Sequence, residues 1–176
     1  MSSFQTQVDT AAQRSGAAPA AHDLLSAVDA LLDGERDWLA NLANVAALLP
    51  VHLPDINWAG FYLWRRGELV LGPFQGRPAC VRIAEGRGVC GQAATRRTTL
   101  VVKDVHDFPG HIACDSRSRS EIVVPLLNAS TLLGVLDIDS PSLARFDDTE
   151  RVLLEEVARH VVRATDWPDF IGKSER

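Results

Sequence analysis

The hydrophobic period changes twice along this chain, and that change restricts the folds open to it. From His22 onward, Leu24, Leu25, Val28, Leu31 and Leu32 recur at the three-and-four spacing of an amphipathic helix, which Gly34 interrupts. Trp38, Leu39, Leu42, Val45, Ala46 and Leu49 make a second helical stripe, expected to end at Pro50 and Pro54. Near the other end, Asp147 and Glu150 stand three apart as in a capping box and open a helix. Val152, Leu153, Val157, Val161 and Val162 supply its apolar face. Between these helices, segments 57–66, 68–74, 98–102, 121–127 and 131–139 are short, β-branched or aromatic, and bounded by turn residues, so they are predicted as strands. Arg66-Gly67 and Asn128-Ala129-Ser130 are short enough for hairpins, and 88–97 fits one short helix. Hairpin-paired strands with helices gathered at both ends predict an antiparallel α+β domain.

Length and charge narrow the classes further. A chain of 176 residues suits one domain, which buries roughly 70% of its unfolded surface and needs no metal or disulfide staple to fold. With 46% hydrophobic and 23% charged residues, disordered, coiled-coil and collagen-like chains are excluded. Formal charge is -5 with no basic stripe, which argues against tight nucleic-acid binding. No run approaches the roughly 18 apolar residues of a membrane span, and the opening segment lacks a secretory pattern, so a cytoplasmic location is expected. Residues 1–20 are Ala-, Ser- and Gln-rich and are expected to form a flexible tail before a domain over 21–167 and a C-terminal tail over 168–176. No internal repeat is present.

The 3 cysteines fall in or beside two unusual stretches. Segment 72–91 carries five glycines, and 103–120 is a long polar loop with His106, His111 and Cys114. Loops this long in a compact domain are usually functional. An odd cysteine count leaves at least one thiol unpaired, which argues against a secreted disulfide framework. No CxxC pair occurs, so a four-thiolate zinc site is excluded; a mixed site with His106 or His111 lacks the usual short ligand spacing. Cys90 suits a buried helix start, whereas Cys114 lies among Asp115, Ser116, Arg117 and Arg119, the setting of a reactive thiolate. Cys80 fits a structural or a functional reading equally. Two cysteines on facing loops suggest a nucleophile and a resolving partner, joined through a sulfenic acid into a disulfide.

Carboxylates and aromatics offer further chemistry. Glu121 opens a strand directly after the cysteine loop, and Asp137 and Asp139 share one strand face, with Leu136 and Ile138 on the other. Such acids bind an ammonium group or hold a proton for donation; alternatively the aspartates only begin the turn before Ser140-Pro141. Trp58, Tyr62 and Trp64 share a face opposite Phe61, as core or as the wall of a pocket for a methyl or thioether group. Gly72, Gly76, Gly86 and Gly88 would let backbone N–H groups approach a carboxylate, a weak signal without a strand-to-helix setting.

Taken in order, NWAGFYL, LGPFQGRPACVRIAEGRGVCG, DVHDFPGHIACDSRSRSEIVVPL and GVLDIDSP closely resemble the free methionine-R-sulfoxide reductases, stand-alone GAF-domain enzymes. The resemblance covers about residues 57–141. It implies a six-stranded antiparallel sheet with the terminal helices on one side and active-site loops on the other. By position it implies Cys114 as catalytic thiolate, Cys80 as main resolving cysteine and Cys90 as a third, secondary catalytic cysteine. Trp58 and Tyr62 match the pocket around the substrate methyl group, and Glu121, Asp137 and Asp139 match the acids that contact substrate. The implied reaction is reduction of free methionine R sulfoxide without a bound cofactor or metal. Glu121, Asp139 or their neighbour would act as the acid, and thioredoxin, itself reduced by NADPH through thioredoxin reductase, would be the partner. A homodimer through the terminal helices is implied as well. The rival expectation is a non-catalytic GAF sensor of a cyclic nucleotide or other small ligand, against which stands the lack of room for an output domain.

Overall fold

The computed structural model describes residues 21–112 and 115–173, with side-chain surroundings from residue 23 onward. Cys114 and the expected tail over 1–20 therefore lie outside the described residues. Helices α1 (Ala21–Leu32) and α2 (Trp38–His52) lead into strands β1 (Trp58–Arg65), β2 (Glu68–Gly76) and β3 (Arg82–Ala84). Helix α3 (Gly88–Arg96), β4 (Leu100–Val102), β5 (Ser120–Asn128), β6 (Thr131–Ser140) and helix α4 (Asp148–Ala164) follow. The six strands form one sheet in the order β3-β2-β1-β6-β5-β4. Every neighbouring pair is antiparallel.

Period-two patterning divides the sheet into two apolar layers. Ala59, Phe61, Leu63, Ile122, Val124, Leu136 and Ile138 face α1, α2 and α4, where Leu24, Val28, Leu42, Val45, Leu154, Val157 and Val161 close the core. Each of the Val, Leu, Ile and Phe side chains among them contributes about 1.5–3 kcal/mol when fully buried. Trp58, Tyr62, Trp64, Val123 and Val135 face the other way, toward Val89, Cys90, Ala93 and Ala94 of α3. Thus the terminal helices cover one face, and the short helix with the long loops covers the other. Helix α4 starts at the expected capping box: Asp147 accepts from the Glu150 N–H while the Glu150 side chain accepts from the Asp147 N–H. Beyond α4, Ile171 is buried in the core and the Gly172 N–H donates to the Trp64 carbonyl at 2.9 Å.

Some boundaries differ from the sequence expectation. Helix α2 passes through Pro50 to His52. Pro50 forfeits one helical hydrogen bond, but Leu48, Leu49, His52 and Leu53 are buried around it, and the Leu53 N–H closes on the Leu49 carbonyl at 2.8 Å. The glycine-rich stretch is not all loop: β2 continues to Gly76, and β3 pairs with Glu68–Val70 along the sheet edge. Three residues are too few to display a period, which is why β3 leaves no pattern. The long polar loop contains a 3₁₀ turn at Val105–Asp107, anchored by the buried Val105. The fourth strand is limited to Leu100–Val102, because Arg97 ends α3 in the left-handed conformation.

Candidate functional site

Strand register, more than any single residue, builds the site. Trp58 of β1 stands opposite Asp139 of β6, and Asp139 stands opposite Glu121 of β5, so three chemically distinct side chains form one row across the sheet. The next row in phase places Gly60 opposite Asp137 and Asp137 opposite Val123. Gly60 separates Trp58 from Tyr62 on this face. A Cβ there would lie 2.3 Å from the Phe74 Cβ, so only glycine admits Phe74 beside Trp58. The two rings stack with centroids 5.3 Å apart, and Trp58 stacks on Tyr62 at 5.9 Å. These aromatics also hold the segment that carries Cys80. Trp58 Nε1 donates to the Arg77 carbonyl at 3.1 Å, and the Tyr62 hydroxyl donates to the Cys80 carbonyl at 3.0 Å.

A pocket opens over these rows. Its walls include Trp58 and Tyr62 from β1, Glu121 from β5, Asp137 and Asp139 from β6, and Gly88, Val89 and Cys90 from the start of α3. Glu121 and Asp137 are buried and Asp139 is half-buried. Two carboxylates opposite one another in a ladder repel, so burial of this set requires protons. Burial first, and the Asp137 and Asp139 charges next, push Glu121 well above the usual carboxyl range. Burial, reinforced by Asp137, raises Asp139 well above it too. Asp137 is pushed up to about 7 by burial, against hydrogen bonds from Cys90 and Glu121 that favour its charge. The three acids share one buried site and titrate together, each held above the usual carboxyl range.

The segments around this group are tied down. Asn57 Nδ2 donates to Asp115 Oδ2 at 3.2 Å and to Ser118 Oγ at 3.0 Å, pinning the residues that follow Cys114 in sequence. Arg117 clamps the buried Asp115, with Nη2 2.8 Å from Oδ2, and holds that carboxyl far below the usual range. Arg119 N–H donates to the Ser140 carbonyl at 2.7 Å. His111 lines the pocket, with Nε2 3.8 Å from Glu121 Oε2; burial lowers its pKa, so it favours the neutral imidazole. His106 is exposed and pairs with Asp104 outside the pocket. Cys80 is in a disulfide, whereas Cys90 is a buried free thiol.

The structure thus brings Trp58, Tyr62, Cys90, Glu121, Asp137 and Asp139 together, with Ala79 of the Cys80 segment in the wall. Of the four glycines singled out, Gly88 lines this pocket: its φ of +62° suits glycine, and a Cβ would lie 3.3 Å from the Ile112 side chain. Asn57, Ser118 and Ile112 were not legible as site residues. Asn57 adjoins the aromatic strand and Ser118 lies in an unpatterned loop, so only tertiary contact singles them out.

A sheet flanked by helices on one face and an acid-lined pocket on the other defines a small-molecule site in a GAF-type domain. Residues 19–164 match the GAF domain family. The chain is 53% identical to the free methionine-R-sulfoxide reductase of Escherichia coli strain K12 over 153 residues, covering 85% of this chain and 93% of that one. It is 45% identical to the free methionine-R-sulfoxide reductase of Saccharomyces cerevisiae, over 77% of this chain and 80% of the relative. The crystal structure of the Neisseria meningitidis free methionine-R-sulfoxide reductase in complex with its substrate superposes with a TM-score of 0.81 at 47% identity, covering 86% and 92% of the two chains. The chain belongs to the GAF-domain family and, within it, to the free methionine-R-sulfoxide reductases. Among the described residues, no helix is long and apolar enough to cross a membrane.

Proposed function

We propose that this protein reduces free methionine (R)-sulfoxide to methionine through a cysteine sulfenic acid and an intramolecular disulfide. The observation that carries this reading is the buried group of three acids in the wall of an aromatic pocket, beside a segment whose Cys80 is disulfide-bonded. Cys90 is free, so of the chain's 3 cysteines Cys114 is the partner proposed for Cys80.

A sulfoxide sulfur becomes electrophilic when its oxygen receives a proton, and a carboxylic acid kept neutral by burial can donate one at neutral pH. In the proposed cycle, Cys114 thiolate attacks that sulfur while the Glu121–Asp137–Asp139 group protonates the oxygen. The oxygen passes to Cys114 as a sulfenic acid, and methionine leaves with its sulfur reduced. The Cys80 thiolate then displaces hydroxide from the sulfenic sulfur; the hydroxide takes a proton and leaves as water, and a disulfide remains. Thioredoxin, kept reduced by NADPH through thioredoxin reductase, supplies the two electrons that reopen it, and no bound cofactor takes part.

Trp58 and Tyr62 form the wall for the thioether and methyl end. Asp137, whose pKa is pushed up to about 7, is part-ionised at neutral pH and attracts the α-ammonium group, while Arg77, Arg87 and the start of α3 on the same pocket wall suit the α-carboxylate. Arg87 provides no side-chain cap to α3, which leaves that helix end open to an anion. A peptide-bound methionine has lost both charges, so this arrangement favours the free amino acid. The exposed Leu39, Val51 and Val152 on α2 and α4 support a homodimer through the terminal helices, and the protein is proposed to work in the cytoplasm.

Cysteine variants test the cycle. Cys114→Ser is expected to release no methionine even in a single turnover, and Cys80→Ser to release one equivalent and then recycle poorly with thioredoxin. Full activity of Cys114→Ser would overturn the nucleophile assignment.

A further inference from the structure

The third cysteine, a buried thiol in the pocket wall, is left unused by this cycle. Cys90 sits in the first turn of α3 with 4% of its surface exposed. The helix enters there because Gly88 takes a positive φ and Gly91 admits the Ala84 carbonyl, 2.6 Å from where a Cβ would be. The turn aims the thiol at the sheet. Its Sγ lies 3.8 Å from Glu121 Oε1 as a hydrogen-bond donor, and the Cys90 sulfur, a Glu121 oxygen and an Asp137 oxygen all lie within 4.8 Å of one another. Asp137 Oδ1 is buried without a hydrogen-bond partner among the described residues, so this carboxyl depends on its other oxygen for support.

We propose that Cys90 is a positioning residue: its S–H orients Glu121 and Asp137 for proton donation and supports their charge after the proton has left, without entering disulfide exchange. This rests on the reductase reading of the site. A resolving cysteine needs a thiolate and a path to another sulfur. Cys90 lacks the thiolate, because burial first, and then the Asp137 and Glu121 charges, push its thiol well above the usual range. A neutral buried thiol is a donor. The carboxyl it serves is otherwise faced by groups that oppose or do not assist its ionisation. These are Asp137 and Asp139 from β6, Tyr62 from β1 and the His111 imidazole from the long loop. Across the pocket, Arg87 at the start of α3 is exposed. Without the thiol, Glu121 and Asp137 would hold their protons more tightly and release them more slowly to the sulfoxide oxygen.

Cys90→Ala and Cys90→Ser separate a donor from a redox thiol, since serine keeps the donor and neither keeps the sulfur. In single turnovers of fully reduced protein, Cys90→Ala is expected to lower the rate of methionine formation about tenfold, the low end for a hydrogen bond to a charged group. Little change in KM and a basic limb of the pH–rate profile moved upward are expected with it. Cys90→Ser is expected to recover most of the rate and the wild-type limb. Equal single-turnover rates in all three proteins, with recycling by thioredoxin lost in both variants, would make Cys90 a resolving thiol and overturn the proposal. An equal rate loss in both variants would overturn it too. Carboxyl titration of the folded proteins by isotope-edited NMR gives a readout independent of turnover. An unchanged Glu121 and Asp137 titration in Cys90→Ala refutes the positioning role, whereas a wild-type protein that forms no methionine refutes the reductase reading instead.

Discussion

Replacing Asp137 by asparagine tests whether the site stores its acidity at the expense of stability. Folded Asp137 keeps its proton up to about 7, while an unfolded aspartate releases it near 3.8. Between these values the unfolded state binds fewer protons, so Asp137 makes the fold less stable as pH rises from about 4 to about 7, and its effect is constant above. At about 1.36 kcal/mol per pH unit, the whole interval corresponds to about 4 kcal/mol. The portion accumulated between pH 5 and pH 8 is about 3 kcal/mol. Asparagine has no proton to lose and retains the shape. It also removes a charge that raises Glu121 and Asp139. Urea unfolding of the disulfide form at pH 5 and pH 8 measures the effect as a difference between variants. The gain of Asp137→Asn over wild type should be larger at pH 8 by at least about 3 kcal/mol, whatever fixed cost the amide brings at both pH values. An effect that is the same at pH 5 and pH 8 would refute the reasoning, because it would mean that Asp137 ionises in the fold as it does in water.

Three further substitutions probe the scaffold. Tyr62→Phe keeps the ring on Trp58 but removes the donor to the Cys80 carbonyl, and should cost about 1 kcal/mol in urea unfolding; no loss would mean that the hydroxyl does not hold the Cys80 segment. Asp147→Ala should cost about 1 kcal/mol by removing the N-cap of α4, measurable as a lower unfolding midpoint. His52 is buried with no hydrogen-bond partner for either ring nitrogen among the described residues, and burial lowers its pKa below the ordinary 6.5. The unfolded chain then binds the extra proton, so stability is lost as pH falls below about 6.5. His52→Leu should flatten that loss in unfolding curves taken between pH 7 and pH 5.

The two faces of the sheet were legible because period-two patterning fixes them: Trp58, Tyr62 and Trp64 point away from Phe61, as Asp137 and Asp139 point away from Leu136 and Ile138. Register was not legible. Nothing in one dimension states that Trp58, Asp139 and Glu121 form a single row, since that row depends on which strands are neighbours. For the same reason Cys90 read as a packed helix start, although its thiol meets two acids from strands that follow it by more than thirty residues. Pro50 misled the helix boundary because propensity lost to the burial of Leu49 and His52. The Asn57–Asp115–Ser118 contacts carry no sequence signature, being hydrogen bonds between a strand edge and a loop.

The central claim is that a charged, aromatic-walled pocket selects the free amino acid and that its acids drive sulfoxide reduction. Methionine formation by the purified protein with thioredoxin, thioredoxin reductase and NADPH tests it most directly. Free methionine (R)-sulfoxide, the free S epimer and N-acetylmethionine amide (R)-sulfoxide are compared at equal concentration, with NADPH consumption as the readout. The account predicts turnover of the free R sulfoxide, at least tenfold slower turnover of the blocked compound, and a loss of more than about tenfold in Glu121→Ala or Asp139→Ala. Equal turnover of the free and blocked sulfoxides, or none of the free R sulfoxide, would contradict it.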